Sequence, residues 1–199
     1  MANGSGPIHK TIAIIGAGGD ATTGSLIYML GGIDLIMLGK LQEKGIDSYA
    51  DAARELKNTN KELYFYTPRH RITVQGLPSI AHQLLKADGL ILVVTPPSQA
   101  SDSFFVKSTT DQLKDSVTFF AQKKAAVFVR TSNDFRWSES VYNQLVENLG
   151  AKLQELDIPT EGIPIIPSIQ RNENIIELSP NTPWYTKPTL VSALDEILS

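Results

Sequence analysis

The chain has 199 residues, of which 42% are hydrophobic and 20% charged, and these values exclude the disordered, collagen-like and membrane-spanning classes. Eighteen Lys and Arg residues against 21 Asp and Glu residues give a net charge of -3, which disfavours direct binding of nucleic acid. The absence of cysteine excludes disulfides and thiolate metal sites and fits a reducing, cytoplasmic location. We predict one domain over residues 9–199, preceded by a flexible leader at residues 1–8.

The first part of the domain alternates between strand and helix patterns. An apolar run at residues 11–15 predicts a buried strand, and residues 23–30 predict a helix that ends at Gly31 and Gly32. Apolar residues at helical spacing predict a second helix over residues 41–57. This alternation is the one expected of helices packed on a parallel sheet.

A predicted β-hairpin follows these helices. Its strands are residues 62–66 and 71–75, and the short segment between them reads as a turn. His70 lies in this turn between Arg69 and Arg71. We expect this charged tip to be a solvated loop rather than an anion site.

The rest of the domain continues the alternation of strands and helices. Continuous apolar runs predict strands buried on both faces at residues 89–95, 126–130 and 163–167. Helical patterns predict helices at residues 80–85, 103–122, 138–156 and 190–198, with Ser138 as the N-cap of the third. Trp137 and Trp184 are expected to be packing residues. The elements together predict an α/β three-layer sandwich with a mostly parallel sheet.

Three segments of the chain resemble the GTP-binding domain of translation elongation factor 1-alpha. HKTIAIIG and TTGSLIYMLGGID, residues 9–16 and 22–34, are similar to its first strand and helix. KGIDSYADAARELK, residues 44–57, is similar to the helix before its first switch segment. IIPSIQRNENIIELSPNTPWY and TLVSALDEIL, residues 165–185 and 189–198, are similar to its last strand, turn and helix. The resemblance implies a P-loop NTPase-like fold, and the family's later β-barrel domains have no counterpart in this sequence.

The resemblance places the family's phosphate-binding loop, GxxxxGK(S/T), on GAGGDATTG at residues 16–24. In that motif backbone N–H groups and the lysine hold the β and γ phosphates, and the hydroxyl holds magnesium. The loop here is three residues shorter than the family's and contains no lysine. The resemblance therefore implies a vestigial phosphate site, which consists of Gly16, Gly18, Gly19, Asp20, Thr22 and Thr23.

The other nucleotide-binding motifs of the family are altered as well. The Asp-x-Pro-Gly-His turn falls on residues 76–80, where Gly76 replaces the magnesium-binding aspartate and Ile80 replaces the histidine that positions water. The guanine-reading Asn-Lys-x-Asp motif falls on residues 130–133, which begin with Arg130. The vestigial base site implied by the resemblance is Ser132, Asn133, Asp134 and Ser168.

We therefore expect a pseudo-GTPase, a nucleotide-independent binding or scaffold domain linked to translation, with a protein partner and with no catalytic residue, metal or cofactor. Two alternatives stay open. One is residual binding or slow hydrolysis of GTP with magnesium. The other is NAD(P) binding, because GAGGDA at residues 16–21 fits the dinucleotide fingerprint GxGxxG/A. A dinucleotide-binding domain needs an acidic residue at the end of its second strand, however, and Asp34 begins the apolar run of residues 35–38.

Overall fold

A computed structural model describes residues 6–16, 18–75, 87–95, 124–131, 137–155, 157, 162–168 and 173–199. Six strands form one sheet in the order β2-β3-β1-β4-β5-β6. The strands are β1 Ile8–Ile15, β2 Leu63–Tyr66, β3 His70–Gln75, β4 Gly89–Val94, β5 Lys124–Arg130 and β6 Ile165–Ser168. Neighbouring strands are parallel except β2 and β3, which pair antiparallel. The mostly parallel sheet and the hairpin are both confirmed.

The described helices are α1 Gly19–Met29, α2 Leu35–Glu43, α3 Tyr49–Asn58, α4 Glu139–Gln154 and α5 Leu190–Ile197. The prediction of a single helix over residues 41–57 is wrong. Gly45 has a φ of +70°, which ends α2, and the Ser48 hydroxyl then caps α3 by accepting from the Asp51 N–H at 3.1 Å. The helices predicted at residues 80–85 and 103–122 lie outside the described residues.

Helix α1 is followed by two helices and an antiparallel strand, not by a second parallel strand. Asp34, the residue considered for a ribose contact, is the N-cap of α2, and its Oδ1 accepts from the Met37 N–H at 2.7 Å. The acidic residue therefore does not end a strand, as a dinucleotide-binding domain of the usual topology requires.

The core lies on both faces of the sheet. Every residue of β4 is buried, and Phe128 of β5 is fully inaccessible. Both tryptophans pack as expected, because Trp137 is buried and Trp184 contacts the ring of Tyr142 at a centroid distance of 5.2 Å. No helix within the described residues is long and apolar enough to cross a membrane. The buried central strands show that the fold is built by apolar packing on both faces of the sheet.

The hairpin tip is only in part the solvated loop that the sequence suggested, because Pro68 and Arg69 are exposed whereas His70 is buried. His70 is 2% exposed, and its Nδ1 lies 2.8 Å from Oδ1 of Asp195 in α5. The Thr67 hydroxyl donates to the same carboxylate oxygen. The partner comes from 125 residues further along the chain, so nothing in the local sequence pointed to a buried pair.

Candidate functional site

The candidate site is the turn that joins β1 to α1 at the carboxyl edge of the sheet. Strand β1 ends at Ile15 and α1 begins at Gly19, so only three residues separate the two elements. The predicted helix start at residue 23 is four residues late, because the Thr22 N–H already donates to the Gly18 carbonyl at 2.9 Å. Most of the predicted phosphate site therefore lies in the first turns of a helix and not in a loop.

The glycines of the turn are required by close contact with β4. Gly16 has a φ of +103°, and a Cβ there would lie 1.9 Å from the Val93 carbonyl oxygen. A Cβ at Gly18 would lie 2.7 Å from Cγ1 of Val93 and 2.8 Å from Oγ1 of Thr95. The GxG spacing thus has an explanation within the fold, and it does not need a bound pyrophosphate.

Arg130 reaches from the end of β5 to the first turn of α1. Its Nη1 donates to Oγ1 of Thr22 at 3.0 Å, and Thr22 is fully buried. The neighbouring Thr23 hydroxyl donates to the Gly19 carbonyl at 2.8 Å. Both hydroxyls considered as magnesium ligands are therefore engaged in contacts within the chain.

Asp20 places a negative charge in the first turn of α1, where the helix dipole favours an anion. Two cations of α3 hold this carboxylate: Lys57 Nζ lies 2.6 Å from Oδ1, and Arg54 Nε lies 3.2 Å from Oδ2. Partial burial works against the charged form. The hydrogen bonds and positive charges of Lys57 and Arg54 outweigh that burial and hold the pKa of Asp20 below its usual value.

Of the residues predicted to contact the guanine base, the structure describes Ser168, which lies at the end of β6. Ser168 is fully buried, and its carbonyl oxygen accepts from the Thr131 N–H at 3.0 Å, the Thr131 hydroxyl at 2.8 Å and the Trp137 indole at 3.4 Å. Ser132, Asn133 and Asp134 lie outside the described residues, as do residues 76–80. The structure brings Ser168 to the same sheet edge as Arg130, because β5 and β6 are adjacent and Arg130 pairs with Ser168.

Sequence reasoning missed two features of this edge. Arg130 was noted only as a departure from the guanine motif, and its bond to Thr22 spans 108 residues. The two α3 cations lie 34 and 37 residues from Asp20, a separation at which no local pattern applies. A signal was present in the sequence, since Arg54 and Lys57 are three residues apart and therefore share one helix face.

The fold has a counterpart among solved structures. The structure of sup35 complexed with GDP matches 96% of this chain and 45% of its own chain, with a TM-score of 0.64 and 20% sequence identity. The architecture, six strands with one antiparallel edge hairpin and helices on the sheet, is that of a P-loop NTPase-like G domain.

Curated relatives extend the comparison to sequence. Elongation factor 1-alpha 2 of Euplotes crassus is 30% identical over 94% of this chain, and elongation factor 1-alpha of Ignicoccus hospitalis is 30% identical over 95%. No family model matches the chain. The chain spans about half the length of the curated relatives it matches, 49% in both cases. It is a relative of elongation factor 1-alpha, and the resemblance found in the sequence is confirmed.

Proposed function

We propose that this chain is a pseudo-GTPase: a G domain of elongation factor 1-alpha ancestry that acts as a nucleotide-independent binding or scaffold domain. The observation that carries the proposal is the Arg130–Thr22 hydrogen bond across a turn of only three residues. A P-loop holds phosphates in a longer arch of backbone N–H groups, with a hydroxyl left for magnesium. Here the arch is short, and the hydroxyl already has a partner.

Electrostatics at the turn support the same proposal. A magnesium ion on Thr22 would lie beside the positive charge of Arg130, which repels it. A phosphate at the start of α1 would be repelled by the Asp20 carboxylate. This carboxylate already interacts with the partial positive charge of the helix N-terminus. Both charges are of the wrong sign for the group that each would contact.

The function that remains for such a domain is binding of another macromolecule. We propose a protein partner, in a cytoplasmic role linked to translation, because the relatives are translation factors and the net charge of -3 offers nucleic acid no attraction. Neither a cofactor nor a membrane has a part in this proposal.

One observation favours residual nucleotide binding as a second candidate. Arg130 brings a guanidinium to the turn, and a guanidinium pairs well with phosphate. On this alternative, Arg130 releases Thr22 and neutralises a phosphate in place of the missing lysine. NAD(P) remains the third candidate, resting on the glycine fingerprint alone.

A melting experiment with a panel of nucleotides distinguishes the three candidates. A ligand at a hundred times its dissociation constant adds about 2.7 kcal/mol of stability, or about 5–10 °C for a domain of this size. The proposal predicts shifts below about 1 °C with millimolar GTP, GDP or ATP with magnesium, and with NADH or NADPH.

Each contrary result points to one alternative. A rise in melting temperature with guanine nucleotides, lost in Arg130→Ala, would establish residual GTP binding. A rise with NADH or NADPH alone would establish a dinucleotide site. Thr22→Ala is the control for the role of Arg130, because it removes the hydroxyl but leaves the guanidinium in place. A rise in melting temperature that survives Thr22→Ala would come from Arg130.

A further inference from the structure

Strand β2 is the edge strand of the described sheet, and β3 is its one neighbouring strand there. Alternate residues of an antiparallel edge strand turn their N–H and C=O groups away from the neighbouring strand. Just after β2, the Thr67 N–H donates to the His70 carbonyl of β3 at 2.9 Å, so the backbone groups of Tyr66 and Tyr64 face outward. An open row of such groups is a template for pairing with another chain.

The end of α1 covers these outward groups. The Leu30 carbonyl accepts from the Tyr66 N–H at 2.9 Å. Gly32 lies so close to the Tyr64 carbonyl that a Cβ on Gly32 would be 1.8 Å from that oxygen. We call Leu30, Gly31 and Gly32 the α1 strap. The α1 strap occupies the place beside β2 that a further strand would need.

The geometry of the helix end holds the α1 strap in this place. Gly31 has a φ of +81°, and the Gly32 N–H donates back to the Ile27 carbonyl at 2.7 Å, which is the Schellman arrangement of a helix C-terminus. The Leu30 carbonyl is one of those that a helix end leaves without an intrahelical partner. The edge strand supplies the N–H that this carbonyl needs, so each element satisfies a free group of the other.

Strand β2 is suited to pairing with a second copy of itself. Its sequence, LYFY, is uncharged and rich in the aromatic residues that favour strands. In an antiparallel pair centred on Phe65, Tyr64 of each copy stands opposite Tyr66 of the other. That register matches the outward N–H and C=O groups of the two copies and places tyrosine side chains opposite one another.

We propose that the α1 strap is an edge guard, a contact within the chain that prevents two copies from joining through β2. While the α1 strap is in place, another strand has no access to the Tyr64 carbonyl or the Tyr66 N–H. Displacement of the α1 strap frees both groups and lets β2 of two copies form one continuous antiparallel sheet. The guard depends neither on the turn after β1 nor on any nucleotide.

Gly32→Ala tests the guard, because the added methyl group has no room beside the Tyr64 carbonyl and forces the α1 strap away from β2. In sedimentation equilibrium from about 5 to about 500 µM, this variant should dimerise with a dissociation constant at least about tenfold below that of the natural chain. Gly39→Ala is the matched control, since a Cβ at that helical glycine meets no atom within 4 Å. It should associate no more than the natural chain does. A folded Gly32→Ala chain that also associates no more overturns the proposal.

Tyr64→Pro, added to Gly32→Ala, shows whether the association occurs at β2. Proline removes the outward N–H of position 64 and leaves the bonds between β2 and β3 in place, as edge strands tolerate. The double variant should therefore associate no more than the natural chain. Association that persists in the double variant comes from partial unfolding or from another surface, and it contradicts the guard.

Hydrogen exchange of the natural chain keeps the test decisive if Gly32→Ala folds poorly. Among the described residues, the α1 strap accepts from the Tyr66 amide and not from the Tyr64 amide, although both face the same edge. The Tyr66 amide should therefore exchange at least about tenfold more slowly than the Tyr64 amide. Equal exchange at the two positions would mean that the α1 strap does not close the edge, and the proposal would be wrong.

Discussion

The sheet interior and the turn after β1 lie a few residues apart, but different forces hold them. In the interior, β4 is buried along its whole length, and fully inaccessible side chains such as Phe128 and Leu90 lie on opposite faces of the sheet. At the turn, polar groups meet one another instead: Arg130 bonds Thr22, and Lys57 bonds Asp20. The interior is completed by apolar burial, whereas the turn satisfies its charges within the chain. We infer that neither region needs a ligand to be complete, and this inference is the basis of the proposed loss of nucleotide dependence.

A substitution at the contact between α1 and α3 should destabilise the fold more than one at the buried pair or at the turn carboxylate. A Cβ at Gly24 would lie 1.9 Å from the Tyr49 carbonyl oxygen, so Gly24→Ala forces the two helices apart. We expect a loss of about 3 kcal/mol in the free energy of unfolding, measured by urea denaturation. Gly150→Ala, in an open helix position, should instead gain about 0.5–1 kcal/mol. Equal effects of the two substitutions would mean that the helices do not touch at Gly24.

The buried pair at the opposite end of the sheet should show a smaller effect. Asp195→Asn removes the charge that holds His70 and Thr67, leaving the His70 ring buried with a weaker partner. We expect a loss of about 2 kcal/mol in the free energy of unfolding. Glu196→Gln, one residue further and exposed, should change stability by less than about 0.5 kcal/mol. If both variants behave alike in urea, the buried pair does not contribute to stability.

The carboxylate at the turn should show the smallest effect, and a dependence on pH. The pKa of Asp20 is lower in the folded chain than in the unfolded one, so its stabilisation is present above the unfolded value of about 3.9 and is lost as the pH falls through the folded value. Since the side chain is 36% exposed, solvent screening limits the effect of Asp20→Asn at pH 7 to about 0.5 kcal/mol.

Thermal melts of the natural chain and Asp20→Asn at pH 7 and at about pH 3 measure this dependence. The difference between them should shrink at the lower pH. Asp47→Asn, at an exposed position, is the control and should differ from the natural chain at neither pH. A difference that grows as the pH falls would contradict the lowered pKa of Asp20.

More of the fold than of the candidate site could be predicted from the sequence. A continuous apolar run such as residues 89–95 is enough to predict a buried strand, because a central parallel strand is covered on both faces. The two-helix segment was misjudged since apolar spacing continues across Gly45, and a single positive φ ends the helix. The apolar run that follows Asp34 has no clear period, so its exposure on α2 was not visible before the structure.

The site depends on contacts between distant residues, which no local pattern encodes. Loss of the loop lysine was readable, because the motif is contiguous and its chemistry is fixed. The contact of Arg130 with Thr22 could not be predicted, and the shared helix face of Arg54 and Lys57 did not identify Asp20 as their partner, because each contact joins elements that only the folded sheet brings together. Sequence can therefore report which groups of the motif are missing, while the structure reports which groups lie at the same turn.

The most direct test of the central claim is calorimetric titration of the folded chain with GDP and magnesium, at concentrations up to about 1 mM. The account predicts no saturable heat, because the turn is closed by Arg130 and carries the Asp20 carboxylate. A stoichiometric isotherm with a dissociation constant below about 10 µM would contradict it and would return the chain to the nucleotide-binding G domains.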